Sequence, residues 1–154
     1  MLRYIEVALS HREIPDETAL CIYISGCPNR CIDCHYPELH CADAGDILSD
    51  YFPDILDLYS LQATCVCFMG EGAAGDVEIA ELRALAALAR NKGFKVAVYR
   101  GRDVEIEPWM RHFDYVKVGS YRKEFGALDQ PTTNQRLYKQ TTQGFVNITS
   151  GFWR

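Results

Sequence analysis

The alternation of short strand-like runs with helical segments constrains this chain more than any other feature of its sequence. Four apolar runs rich in β-branched and aromatic residues read as strands: Leu20–Ser25, Thr64–Met69, Phe94–Tyr99 and Tyr115–Val118. Helical signals separate them. Ser49 or Asp50 can cap a helix that carries Pro53 in its first turn and runs to about Ser60. Asp76 caps a second helix, in which Ile79, Leu82, Leu85, Ala86 and Ala89 recur at helical spacing until Gly93 closes it. Pro108–Phe113 predicts a short third helix. This order implies parallel strands joined by right-handed crossovers. The tail differs in kind: Arg136–Gln140 and Phe145–Thr149, separated by polar residues and Gly144, have a hairpin pattern. With 154 residues and no repeat, low-complexity tract or linker, one domain is expected.

In α/β layouts, ligands gather beyond the carboxyl ends of the strands. A cysteine-rich loop reaching to about Cys41 follows the first strand, and Gly70-Glu71-Gly72 follows the second. Arg100-Gly101-Arg102 follows the third and Gly119-Ser120-Tyr121 the fourth, so all four loops are expected on one rim. The formal net charge of −5 argues against a nucleic-acid module, which needs a basic stripe to release counterions. No stretch approaches the roughly 20 uncharged apolar residues of a membrane helix. Met1–Glu6 lacks the apolar core and small-residue cleavage site of a signal peptide, so a reducing cytoplasm is the expected compartment.

Sulfur departs from the average: seven cysteines, an odd number, stand at Cys21, Cys27, Cys31, Cys34, Cys41, Cys65 and Cys67. Cys65 and Cys67 lie in an apolar run and read as small buried hydrophobes. Cys27, Cys31 and Cys34 are spaced by three and then two residues within a loop, which can wrap three thiolates around an iron–sulfur cluster. The spacing alone admits three readings. A structural zinc site would add His35, His40 or Cys41 as fourth ligand. An electron-transfer cluster would add Cys21 or Cys41. A cluster with three protein ligands would leave one iron open to a substrate or cofactor.

Cys27-x3-Cys31-x2-Cys34 after a first strand, then a Gly-Glu turn after the second, resembles the radical S-adenosylmethionine (SAM) superfamily. Gly26–His35 with Pro37-Glu38-Leu39 is similar to the small activating enzymes of glycyl radical enzymes. Cys67–Glu71, Tyr99-Arg100-Gly101, Val116–Gly119 and Pro131–Tyr138 resemble the branch that activates anaerobic ribonucleoside-triphosphate reductase. The resemblance runs from about Cys21 to Tyr138. It implies a [4Fe–4S] cluster on Cys27, Cys31 and Cys34, with SAM chelated at the open iron. One electron, from reduced flavodoxin or a similar donor, would split SAM into methionine and a 5′-deoxyadenosyl radical. That radical would take a hydrogen atom from a glycine Cα of the partner, the reductase large subunit or another glycyl radical enzyme of formate-lyase type. No catalytic side chain beyond the cluster ligands is implied. The chain is too short for a complete eight-unit barrel, which takes about 200 residues or more. The implied fold is therefore an incomplete, open parallel β/α barrel of the radical SAM type.

The same resemblance gives other residues roles, and each has a plainer reading. Gly70, Glu71 and Gly72 align with a turn that meets the SAM amino group, although the family has two glycines before the acid. A helix-entry turn needing positive φ is the alternative. Asp33 stands where many members have an aromatic residue near the adenine, so contact there would be through backbone. His35 can contact the cofactor, tune the cluster or cap the loop. Arg100 and Lys117 are rim cations that can meet the SAM carboxylate or remain surface charges. Asn134-Gln135-Arg136 is either a docking segment or a structural turn. Tyr121, Phe125, Phe152 and Trp153 form a partner-facing patch or complete the core.

Overall fold

The computed structural model describes residues 1–26, 44–70, 75–100, 105–120 and 122–152. In chain order its elements are β1 (Arg3–Ser10), β2 (Ala19–Ile24), β3 (Asp46–Ile47), α1 (Leu48–Leu58), β4 (Cys65–Met69) and α2 (Asp76–Asn91). These are followed by β5 (Lys95–Arg100), β6 (Tyr115–Val118), β7 (Arg136–Thr141) and β8 (Gly144–Asn147). Two 3₁₀ segments, Pro108–His112 and Thr149–Phe152, complete the set.

The fold is α/β, built on one open, mixed sheet in the order β3-β1-β2-β4-β5-β6-β7-β8. The four strands read from the sequence form its centre. β2, β4, β5 and β6 pair in parallel, each beside the next in sequence. The expected hairpin is present too, with β7 antiparallel to β8. Pairing is not parallel throughout, because antiparallel β1 and β3 flank one side of the centre and β7 and β8 the other.

Strand alternation gives the sheet two unlike faces. Leu20, Ile22, Ile24, Val66, Phe68, Val96, Val98 and Val116 point to the helical side, where they meet Phe52, Leu56, Leu82, Leu85, Ala86 and Met110. Phe68 lies at the middle of that core, its ring 5.8 Å from Phe52 and edge-on to Phe113 at 6.3 Å. The other face carries Ala19, Cys21, Cys65, Cys67, Ala97, Tyr99 and Tyr115. Ile14 from the β1–β2 connection, Leu128 and Phe152 pack on it.

Two helix starts differ from expectation. α1 begins at Leu48, ahead of both candidate caps, because the Leu48 N–H donates to the Leu2 carbonyl at 2.9 Å. Pro53 therefore lies inside the helix, on its exposed side, where water can serve the carbonyl its missing N–H leaves over. Leu48, Phe52 and Leu56, four apart, form the buried stripe that holds α1 in place. In α2 the cap position is Gly75, and Asp76 is the first helical residue, without a side-chain cap bond. Asp76 and Glu78 still place negative charge at the positive end of the helix dipole. The predicted stop holds: Gly93 has φ +94°, its N–H donates to the Arg90 carbonyl at 2.9 Å, and the Phe94 N–H reaches back to Ala89 at 3.1 Å.

Candidate functional site

Parallel pairing brings the carboxyl ends of β2, β4, β5 and β6 to one rim, as the loop placement predicted. Ser25 and Gly26, Gly70, Arg100, and Gly119 with Ser120 stand there. Most of the sequence-predicted site (Cys27, Cys31, Asp33, Cys34, His35, Glu71 and Gly72) lies outside the described residues, as do Cys41, Gly101, Arg102, Tyr121 and Trp153. Gly70 is described. Its φ of +104° is the left-handed backbone that glycine allows, and its N–H donates to the Tyr99 carbonyl at 3.2 Å, across to β5.

The two ends of segment 27–43 are tied together by β1. Ser25, 4 % exposed, donates its N–H to the Arg3 carbonyl at 3.0 Å and its hydroxyl to the Ala44 carbonyl at 2.8 Å. The Arg3 guanidinium donates to the Gly45 carbonyl at 3.1 Å. Gly45 has φ +83°, and a Cβ there would fall 1.9 Å from the Tyr4 carbonyl oxygen. The cysteine-bearing segment thus leaves and rejoins the fold at one point on the rim. Sequence reading missed this clamp, whose two halves are more than 40 residues apart. Its local signals, Gly45 and the alternation of Arg3–Ser10, carry no mark of the pairing.

Beside the rim, one row of side chains crosses the non-helical face. Tyr23 pairs with Met69, Met69 with Tyr99, and Tyr99 with Lys117. The Lys117 ammonium lies 5.0 Å from the Tyr99 ring centroid, within cation–π range. Burial, together with the nearby Cys21 thiol and Glu13 carboxylate, pushes the Tyr23 hydroxyl up to about 12. Burial also raises Tyr99, whose hydroxyl donates to the Glu13 carbonyl. Both phenols stay neutral at ordinary pH, so the row combines two aromatic rings, a thioether and a cation. Tyr23, Met69 and Lys117 are partly exposed along this row, and Tyr99 is buried among them.

The two candidate rim cations separate here. Strand alternation turns Arg100 to the helical side, where it is 4 % exposed and donates to the Glu107 carboxylate at 2.9 Å beside the Trp109 ring. Lys117 is on the same face as Tyr23, Met69 and Tyr99. Asn134 and Gln135 act as a structural turn: their side-chain amides donate to the Ser120 and Gly119 carbonyls at 2.9 and 3.3 Å. Gly119 has φ +109°, and a Cβ there would meet the Gln135 Cα at 2.9 Å. Arg136 donates to the Thr133 and Gln135 carbonyls at 2.5 and 2.8 Å, bracing the same turn from the start of β7. Phe152 packs on the core, one of the two readings offered for it, and Phe125 is 39 % exposed.

Cys21, Cys65 and Cys67 are free thiols and fully buried, as the apolar run around Cys65 and Cys67 predicted for those two. Burial raises both Cys65 and Cys67, which keeps them protonated and unreactive. Among the described residues, no group of three or more His, Cys, Asp or Glu side chains is arranged to hold a metal. No helix among them is long and apolar enough to cross a membrane. Comparison with protein families, with curated proteins and with solved structures finds no match to the chain.

Proposed function

We propose that this chain is a radical SAM activase that installs a glycyl radical on an anaerobic ribonucleoside-triphosphate reductase. One observation carries the reading: the Cys27-x3-Cys31-x2-Cys34 triad belongs to a segment that follows the carboxyl end of β2, beside the carboxyl end of β4, where Gly70 precedes Glu71 in the chain. The donor set fits the group, since three closely spaced thiolates suit an iron–sulfur cluster and leave an iron for a non-protein ligand. Cys27, Cys31 and Cys34 would hold a [4Fe–4S] cluster. When bound and reduced, it supplies the electron that cleaves SAM.

The chain's own residues then have distinct tasks. Ser25, Ala44 and Gly45 help tie together the two ends of segment 27–43, which carries the three thiols. Gly70 follows β4 with φ +104°, and the carboxylate of Glu71, next in the sequence, is the proposed acceptor for the SAM amino group. Lys117, on the face shared with Tyr99, is the proposed partner of the SAM carboxylate. Tyr23 and Met69, both half-buried, offer apolar surface that excludes water from the reacting carbon. The unclosed sheet supports reading the fold as a partial β/α barrel, because a partner's glycine-bearing loop needs a lateral way in.

The test is anaerobic reconstitution with iron and sulfide. The expected product is a brown protein that, with dithionite or reduced flavodoxin, converts SAM to 5′-deoxyadenosine. Replacing Cys27, Cys31 or Cys34 by Ala should abolish that product. A glycyl radical signal should appear on the reductase when it is added. A colourless protein that retains zinc and unfolds with a chelator would instead be a metal-stabilised binding module. Radical formation only on a formate-lyase-type partner would reassign the substrate.

A further inference from the structure

We propose a second ligand site, for a nucleoside polyphosphate, where α2, the first 3₁₀ segment and the β7–β8 hairpin meet. Two adjoining clefts, of about 570 and 620 Å3, share Arg83 of α2 and His112 of the first 3₁₀ segment as common walls. The first cleft also has Arg90, Arg111, Gln140 and Thr141 in its lining. The second is walled by Pro108 and the half-buried Trp109. Asp114 immediately precedes β6 and Thr141 ends antiparallel β7, which puts the first cleft at the amino-terminal edge of the parallel strands, while Glu107 and Trp109 of the second reach Arg100 at the carboxyl end of β5 on the helical face. The Tyr23–Lys117 row lies on the non-helical face, and this inference does not rest on it.

Charge is what singles the clefts out. The chain as a whole carries −5, yet three arginines converge here. The acids that line the clefts are already engaged. Asp114 pairs with Arg90 at 3.3 Å and accepts from the Val96 N–H at 2.9 Å. Glu107 accepts from Arg100 at 2.9 Å and from the Trp109 indole N–H at 2.6 Å. Among the described residues, Arg83, Arg111 and His112 form no ion pair, and all three are exposed. The walls are also held in place: the Gln140 amide, oriented by its partners, donates to the Phe113 and Arg111 carbonyls at 2.7 and 2.9 Å. That joins the β7–β8 hairpin to the 3₁₀ segment.

Guanidinium forks match phosphate oxygens in shape as well as charge. An apolar wall of Pro108 and Trp109 in the adjoining cleft suits a heterocyclic base. A polyanion attached to a ring system fills both clefts, whereas inorganic phosphate fills only the arginine end.

Titration calorimetry on the full chain, prepared anaerobically, compares ATP, tripolyphosphate, adenosine and a hexaglutamate peptide. ATP should bind most tightly, about tenfold better than tripolyphosphate, with adenosine weaker still. Arg83→Gln and Arg111→Gln, both at exposed positions and checked for folding by circular dichroism, should each weaken ATP about tenfold. Pro108→Ser and Trp109→Leu should narrow the gap between ATP and tripolyphosphate. Equal affinity for ATP and tripolyphosphate, tighter binding of the acidic peptide, or ATP affinity unchanged in both arginine variants would each overturn the proposal.

Discussion

Replacing Gly45 by Ala probes the clamp that closes the cysteine-bearing segment, and the molecule contains its own controls. Gly45 has φ +83°, and a Cβ there would lie 1.9 Å from the Tyr4 carbonyl oxygen and 2.6 Å from its carbon. Gly93 and Gly144 also have positive φ, +94° and +112°, but a Cβ at either meets nothing within 4 Å. All three substitutions force a left-handed backbone on an L residue, at about 1–2 kcal/mol. Gly45→Ala alone adds a collision with main chain that no rotamer change relieves, worth a further ~1–3 kcal/mol by analogy with overpacking. The expected losses are therefore about 1–2 kcal/mol for Gly93→Ala and Gly144→Ala, against ~2–5 kcal/mol for Gly45→Ala. Urea denaturation followed by circular dichroism measures all three on one scale. The same variant should also retain less iron after reconstitution, because the base of the ligand segment is displaced. A Gly45→Ala loss no larger than the two controls would refute the close approach to Tyr4 and, with it, the clamp.

Other outcomes follow from the same geometry. Glu17 accepts from the Lys95 ammonium and the Tyr115 hydroxyl, both at 2.9 Å. Burial alone would raise its carboxyl, but these bonds and one from Thr64 hold it below the usual glutamate range. Its contribution is therefore present above the ordinary glutamate value and lost as pH falls through the depressed folded value. Glu17→Gln should cost ~1.5–3 kcal/mol at neutral pH and flatten the acid limb of a plot of stability against pH. Phe68→Ala, which removes the ring between Phe52 and Phe113, should cost ~3–5 kcal/mol in the same urea assay. Lys117→Gln should raise the KM for SAM about tenfold with a smaller effect on kcat, whereas Arg100→Lys should lower stability and leave that KM unchanged.

Local chemistry settled a large part of the architecture. The four central strands are written as runs of β-branched and aromatic residues, and the stop of α2 needs only the backbone freedom of Gly93. Consecutive parallel strands then bring their carboxyl ends to one rim, so the rim from which the following loops depart could be read from the chain before any coordinates. The thiol spacing adds the chemistry expected there. All of these are short-range properties, decided within a turn or a single strand.

Tertiary structure decided what depends on partners distant in sequence. Nothing in Arg3–Ser10 announces that its carbonyls will hold Ser25, or that Tyr4 will leave room only for a glycine at position 45. α1 starts at Leu48 rather than at a side-chain cap, because the carbonyl of Leu2 is there to receive its N–H. Whether Arg100 or Lys117 is buried against the helical layer turns on which side of the sheet the helices cover, and alternation alone does not say which side that is. The arginine-lined clefts arise only because α2, a 3₁₀ segment and a hairpin dock side by side. Hydrogen bonds and charges act through space, so these contacts exist only once the fold has brought remote segments together.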